Sequence, residues 1–106
     1  MRRSSLKDSG SRGWFIGDFP EAIFRTKEFE VTYQKNPRSQ TASHIHKLVY
    51  EITLVISGCQ ICNGEMFKAG DICVLEPGDI SQIEYLEETE VVTIKTPSIP
   101  SDKYLL

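Results

Sequence analysis

The feature that most constrains this chain is its punctuation. Asn36-Pro37, Gly58, Asn63-Gly64, Gly70-Asp71, Pro77-Gly78 and Pro97 break it into short runs, and none of these runs has apolar spacing of helical period. The stretch Glu28-Phe-Glu-Val-Thr-Tyr-Gln34 alternates apolar and polar residues, as a half-buried strand does. Thr41–Lys47, Ile52–Ser57, Ile72–Leu75, Ile80–Leu86 and Val91–Lys95 read as further strands. Cys59–Asn63 and Glu65–Lys68 flank Asn63-Gly64, the strongest hairpin signal present, because both central residues of a type I′ turn need positive φ. Many short strands with turn residues between them predict an all-β fold, an antiparallel β-barrel or jelly roll. At 106 residues it is one domain. Residues 1–13 are polar and read as a flexible N-terminal segment, and residues 14–106 as the β-barrel domain.

The only two histidines, His44 and His46, are one residue apart, and Glu51 follows. Residues i and i+2 of a strand share a face, so two imidazoles at this spacing can converge on one ion and a carboxylate can complete the set. Glu51 lies an odd number of residues from His46. On one unbroken strand it would face away, so the chain must bend within residues 47–50. The competing reading is a hydrogen-bonded polar pair with no ion.

Net charge is −3, which gives no basic field for nucleic acid. No apolar run approaches the roughly 20 residues of a membrane span. The start, Met1-Arg-Arg-Ser-Ser, has no apolar stretch behind it to make a secretory signal. Three cysteines, Cys59, Cys62 and Cys73, fit free thiols in a reducing, cytoplasmic setting. Cys59 and Cys62 have the spacing of a redox pair but sit in a predicted strand, where i and i+3 point to opposite faces. They read as filler.

The pattern resembles the cupin superfamily. Its first motif, G-x5-HxH-x3–4-E-x6-G, is matched by His44-Ile-His46, Glu51 and Gly58, with Arg38 where the leading Gly is expected. Its second, G-x5-PxG-x2-H-x3-N, is partly kept: Gly70 and Pro77-Gly78 are present, Ser81 stands for the usual third histidine and Tyr85 for the Asn. The resemblance implies a single-domain cupin-like barrel holding a divalent ion (Zn, Fe, Mn or Ni) on His44, His46 and Glu51. It also implies a chain break between His46 and Glu51.

The function expected is a divalent-metal-binding small cupin that binds or transforms a small polar metabolite, of the sugar, sugar phosphate or keto acid class, in the lumen. The alternative is a non-catalytic metabolite-binding or accessory protein with a vestigial, metal-free site. Tyr33, Tyr50 and Ser81 are candidate substrate contacts, with strand packing as the competing role for the tyrosines. Lys35, Arg38 and Lys47 form a basic cluster near the histidines that could receive an anion. The Glu87–Glu90 run reads as a solvated corner. Exposed sheet edges need cover, and a homodimer through the Trp14-Phe-Ile segment would supply it.

Overall fold

The computed structural model describes residues 1–106 and contains thirteen strands and no helix. A six-stranded sheet has the order β2 (Phe24–Arg25), β1 (Trp14–Gly17), β3 (Glu30–Asn36), β12 (Thr89–Thr96), β6 (Tyr50–Ser57) and β9 (Ile72–Leu75). A four-stranded sheet joins β4 (Ser39–Gln40), β11 (Ile83–Tyr85), β7 (Cys59–Cys62) and β8 (Glu65–Lys68). A three-stranded sheet joins β10 (Ile80–Ser81), β5 (His44–Ile45) and β13 (Tyr104–Leu105). Every pairing is antiparallel except the short β1–β2 contact. The sheets do not close into one hydrogen-bonded barrel, so the architecture is a jelly roll.

Residue parity decides which side chains face inward. Along β12 the odd positions, Thr89, Val91 and Thr93, are buried, and β6 buries Thr53 and Val55 on the same face. Register then aligns rows across the sheet. Thr32, Thr93, Thr53 and Cys73 form one row, and Thr53 and Thr93 join their hydroxyls at 3.0 Å. The next row is Glu30, Lys95, Glu51 and Leu75, so three charged residues sit side by side on the inner face. Buried polar or charged residues number ten, against six hydrophobic ones. An interior with that balance is a lined cavity as much as a dry core.

The Asn63-Gly64 hairpin forms as the sequence predicts, with φ of 51° and 84° and Cys62 opposite Glu65. Asn63 does more than turn the chain. Its side-chain amide donates to the Ile80 carbonyl at 2.6 Å and its oxygen accepts from the Gln82 N–H at 3.2 Å. The single strand expected over 80–86 is thereby split at Gln82 and handed from one sheet to another. The acidic corner is shorter than expected. Strand β12 begins at Thr89, and Glu90 accepts hydrogen bonds from Tyr33 and from Ser57, the latter at 3.0 Å. Cys59 and Cys62 point to opposite faces as strand parity requires, with Cys62 buried. The neighbouring Cys73 thiol and burial push the Cys62 thiol up, away from a reactive thiolate.

Gly58 shows why the first motif ends in glycine. It has φ of 90°, and a Cβ there would stand 2.5 Å from the Glu88 carbonyl oxygen and 2.7 Å from the Thr89 Cα. Backbone cannot yield as a flexible side chain can. Gly58→Ala should therefore cost on the order of 1–3 kcal/mol, read as a lower melting temperature with the circular dichroism spectrum unchanged. An unchanged melting temperature would show that the turn relaxes freely.

Candidate metal centre

His44 and Glu51 come from different sheets. His44 is on β5, His46 follows it, and Glu51 is the second residue of β6 after a turn over residues 47–49. No Gly or Pro makes that turn; Asp102 does. Its buried carboxylate accepts the backbone N–H groups of Lys47, Leu48 and Val49 at 3.1, 2.9 and 3.0 Å. Burial alone would raise the Asp102 carboxyl, but these three donors hold it below the usual aspartate value. The bend expected between His46 and Glu51 is thus imposed by a residue from the far end of the chain.

The same Asp102 orients His46 directly. Its backbone carbonyl accepts a hydrogen bond from His46 Nδ1. The His46 carbonyl in turn accepts from the Gly78 N–H at 2.8 Å, so the Pro77-Gly78 turn clamps the His46 backbone. With Nδ1–H committed, Nε2 of neutral His46 presents its lone pair, the tautomer a metal needs. His44 is arranged alike, with Nδ1 donating to the Ala42 carbonyl at 3.3 Å. The two rings meet edge to face at 5.0 Å.

One donor atom from each of His44, His46 and Glu51 lies within 4.8 Å of the others. His46 Nε2 stands 3.0 Å from Glu51 Oε2, yet the approach is not aligned as a hydrogen bond, and both atoms are buried without a hydrogen-bond partner. Two acceptor lone pairs that close repel unless a cation or proton lies between them. Metal–nitrogen and metal–oxygen bonds of about 2.0–2.2 Å span a donor separation of roughly 3 Å. The residues present therefore fit a divalent ion. The Glu51 carboxylate beside His46 pulls the imidazole up despite burial, and burial lowers His44. Burial would raise Glu51, but the His46 imidazole and Lys95 outweigh it and hold the carboxyl low.

The centre opens on a cavity of about 470 Å³. Ser81 stands in register with His44, on the same side, and is fully buried with its hydroxyl unpartnered. That is the place where the second motif would supply a histidine. Tyr33 and Tyr50 do not reach the cavity. The inward positions of β3 include Glu30 and Thr32, and those of β6 are Thr53 and Val55, so both tyrosines fall on the outer face; Tyr33 is tied to Glu90 there. The basic cluster is elsewhere too: Lys35 pairs with Glu88 at 3.4 Å and Lys47 lies 4.2 Å over the Tyr104 ring. The cavity's cations are Arg12, Lys95 and Lys103, none of which the histidine-centred reading found. For Lys95 a signal existed, since its inward parity in β12 matches that of Thr93. Asp102 and Lys103 had none, because nothing local says that the C-terminal segment folds back over the histidines.

No protein-family model matches the sequence, and no curated protein is similar to it in sequence. Solved structures are similar in fold. A conserved protein with a double-stranded β-helix domain from Klebsiella pneumoniae superposes with a TM-score of 0.70 at 24% identity, over 98% of this chain and 90% of that one. A cupin-2 domain containing protein from Shewanella frigidimarina gives 0.59 at 18% identity, over 70% of this chain and 76% of that one. Oxalate decarboxylase from Bacillus subtilis gives 0.63 at 19% identity, over 76% of this chain and 24% of that one. The chain has the cupin fold, and its His44-x-His46-x4-Glu51 group fits the cupin motif.

Proposed function

We propose that this cupin-fold chain holds a divalent ion on His44, His46 and Glu51 and binds or transforms a small polar metabolite in the adjoining cavity. The observation that carries the reading is the buried approach of His46 Nε2 to Glu51 Oε2, which needs a metal ion or a proton between the two atoms, with His44 close enough to complete a three-donor set for the ion. Three protein ligands leave positions open, and a bound ion would supply Lewis acidity there. The chain's own part is positional: Asp102 and Ala42 fix the tautomers, and the strands hold the carboxylate. Elemental analysis of protein purified without chelator tests this directly. Protein that carries no ion and whose melting temperature does not respond to added Zn(II), Mn(II), Fe(II) or Ni(II) would overturn it.

A second reading is favoured by Ser81 at the place of the usual fourth ligand: a binding or accessory protein whose weakened centre does no chemistry. Ligand-dependent stabilisation without turnover of sugar and keto-acid panels would select it. A cytoplasmic setting belongs to the proposal and is supported by the buried free thiols of Cys62 and Cys73.

A homodimer is also part of the proposal, through a different surface from the one the sequence suggests. Trp14 of β1 lines the cavity, and β1 is covered on both edges by β2 and β3. The outer face of the six-stranded sheet carries Ile72, Val74, Leu54 and Ile56 at 60%, 53%, 39% and 45% exposure, continued by the half-buried Ile52, Val92 and Ile94. An apolar face of this breadth, with its charges Glu90 and Lys35 confined to one end, suits an isologous contact with a second copy. Light scattering at tens of micromolar should give twice the 12.0 kDa chain mass, and Leu54→Lys should return the monomer. A monomeric wild type would remove the dimer.

A further inference from the structure

Lys95 stands between two carboxylates and pairs with neither. Its register partners are Glu51 on β6 and Glu30 on β3, with side chains on the inner face. Directly opposed residues have Cβ atoms about 4.5–5.5 Å apart, so its stem rises beside the ligand carboxylate. Yet the ammonium makes no ion pair within 4.0 Å and no hydrogen bond to a side chain. It lies 4.6 Å over the Trp14 ring and lines the cavity together with His44, His46 and Glu51. A half-buried ammonium with its three donors unspent is held ready for an acceptor that the chain does not supply.

The charges around the cavity point the same way. Arg12, Lys95 and Lys103 face Glu21, Glu30 and Glu51 there, three cations against three carboxylates. A divalent ion on Glu51 turns that balance positive. Arg12 and Lys103 are exposed and can exchange with water, so the partly desolvated Lys95 is the cation that discriminates.

We propose that Lys95 is the specificity-determining residue of this site and that the ligand it selects is a small carboxylate, with a carboxylate oxygen accepting from the Lys95 ammonium beside the metal centre. The assignment rests on the site proposed above and narrows its ligand from polar metabolites in general to carboxylates. Phosphate is the poorer fit. No helix N-terminus faces the cavity and its one arginine is exposed, so a phosphate would rest its double charge mainly on Lys95, whereas a single carboxylate matches that one ammonium.

The test compares tartrate with erythritol, which has the same carbon chain with alcohols in place of the two carboxylates, and with inorganic phosphate. Calorimetric titration of zinc-loaded and metal-free protein is made on wild type, Lys95→Met and Lys95→Arg, with zinc content measured before and after. Wild type should prefer tartrate over both erythritol and phosphate. Lys95→Met should weaken tartrate roughly ten- to hundredfold at unchanged zinc stoichiometry and unchanged erythritol binding, and Lys95→Arg should restore part of the loss. Tartrate binding that ignores Lys95, or phosphate binding more tightly than tartrate, would overturn the proposal. If wild type takes up no zinc, the metal reading fails separately, and the Lys95 dependence of tartrate binding to the metal-free protein decides this one. Should Lys95→Met not fold, the Lys95→Arg variant and the wild-type preference for tartrate over erythritol carry the decision.

Discussion

His44→Ala is expected to reduce stoichiometric metal to background while the jelly roll stays folded. Two remaining donors are too few to hold a divalent ion against bulk water. His44 is half-buried and makes one long hydrogen bond, so its loss removes little packing. His46→Ala should also lose the metal, but at a structural cost. His46 is 4% exposed and bonded to the Asp102 carbonyl, so truncation leaves a cavity and an unpaired acceptor, about 1–3 kcal/mol. Ser81→His should act in the opposite direction. Its register with His44 places a third imidazole, and so a fourth ligand, at the centre, tightening the ion by roughly tenfold. Elemental analysis and competition with a chromophoric chelator read all three. The centre is vestigial if wild type is metal-free and Ser81→His gains nothing.

Proton competition gives this prediction a pH signature. Binding needs neutral imidazoles, and His46 is shifted above the ordinary value near 6.5, so affinity should begin to fall above that pH and continue to fall below it. His46 should protonate first, because Glu51 beside it favours the imidazolium, and His44, lowered by burial, should stay neutral to more acidic pH. A flat affinity between pH 7.5 and 5 would exclude histidine ligation.

The second large effect is expected at Asp102, which no metal-ligand rule would select. Asp102→Ala strips the buried acceptor from three backbone N–H groups at the turn between His46 and Glu51. Unsatisfied buried donors cost about 1–3 kcal/mol each, with water recovering part, so a total of about 3–5 kcal/mol is expected. For a domain of this size that lowers the melting temperature by roughly 15–25 °C. Asp102→Asn should fall between, because one side-chain position becomes a donor facing donors. The pH dependence follows from the depressed carboxyl. Its stabilisation is fully present above the unfolded value near 3.8 and is lost as pH falls below that through the folded value. Acid unfolding of wild type should therefore steepen below about pH 4, and Asp102→Ala should lack that step. Equal melting temperatures for Asp102→Ala and wild type would show that the turn holds without it.

Much of this molecule could be read from local chemistry. The Asn63-Gly64 hairpin follows from two residues that accept positive φ, and the inward faces of β6 and β12 follow from period-two alternation. The His44, His46 and Glu51 set was legible because the spacing of two imidazoles is a local property, and the need for a bend before Glu51 followed from parity alone. The same parity sets Tyr33 and Tyr50 on the outer face, against the lumenal contact expected of them.

What the sequence determined by itself was the strand and turn alphabet and the grouping of His44, His46 and Glu51, since φ preference and side-chain alternation act over a few residues. What only the tertiary structure decided was everything that joins distant segments. The C-terminal segment folds back so that Asp102 bends residues 47–49 and orients His46, with β13 pairing β5. Strand register sets Lys95 between Glu30 and Glu51, and the N-terminal segment brings Arg12 to the cavity. The reason is that hydrogen-bond geometry and burial are properties of where segments meet. A carboxylate far along the chain carries no local mark of the backbone amides it will satisfy.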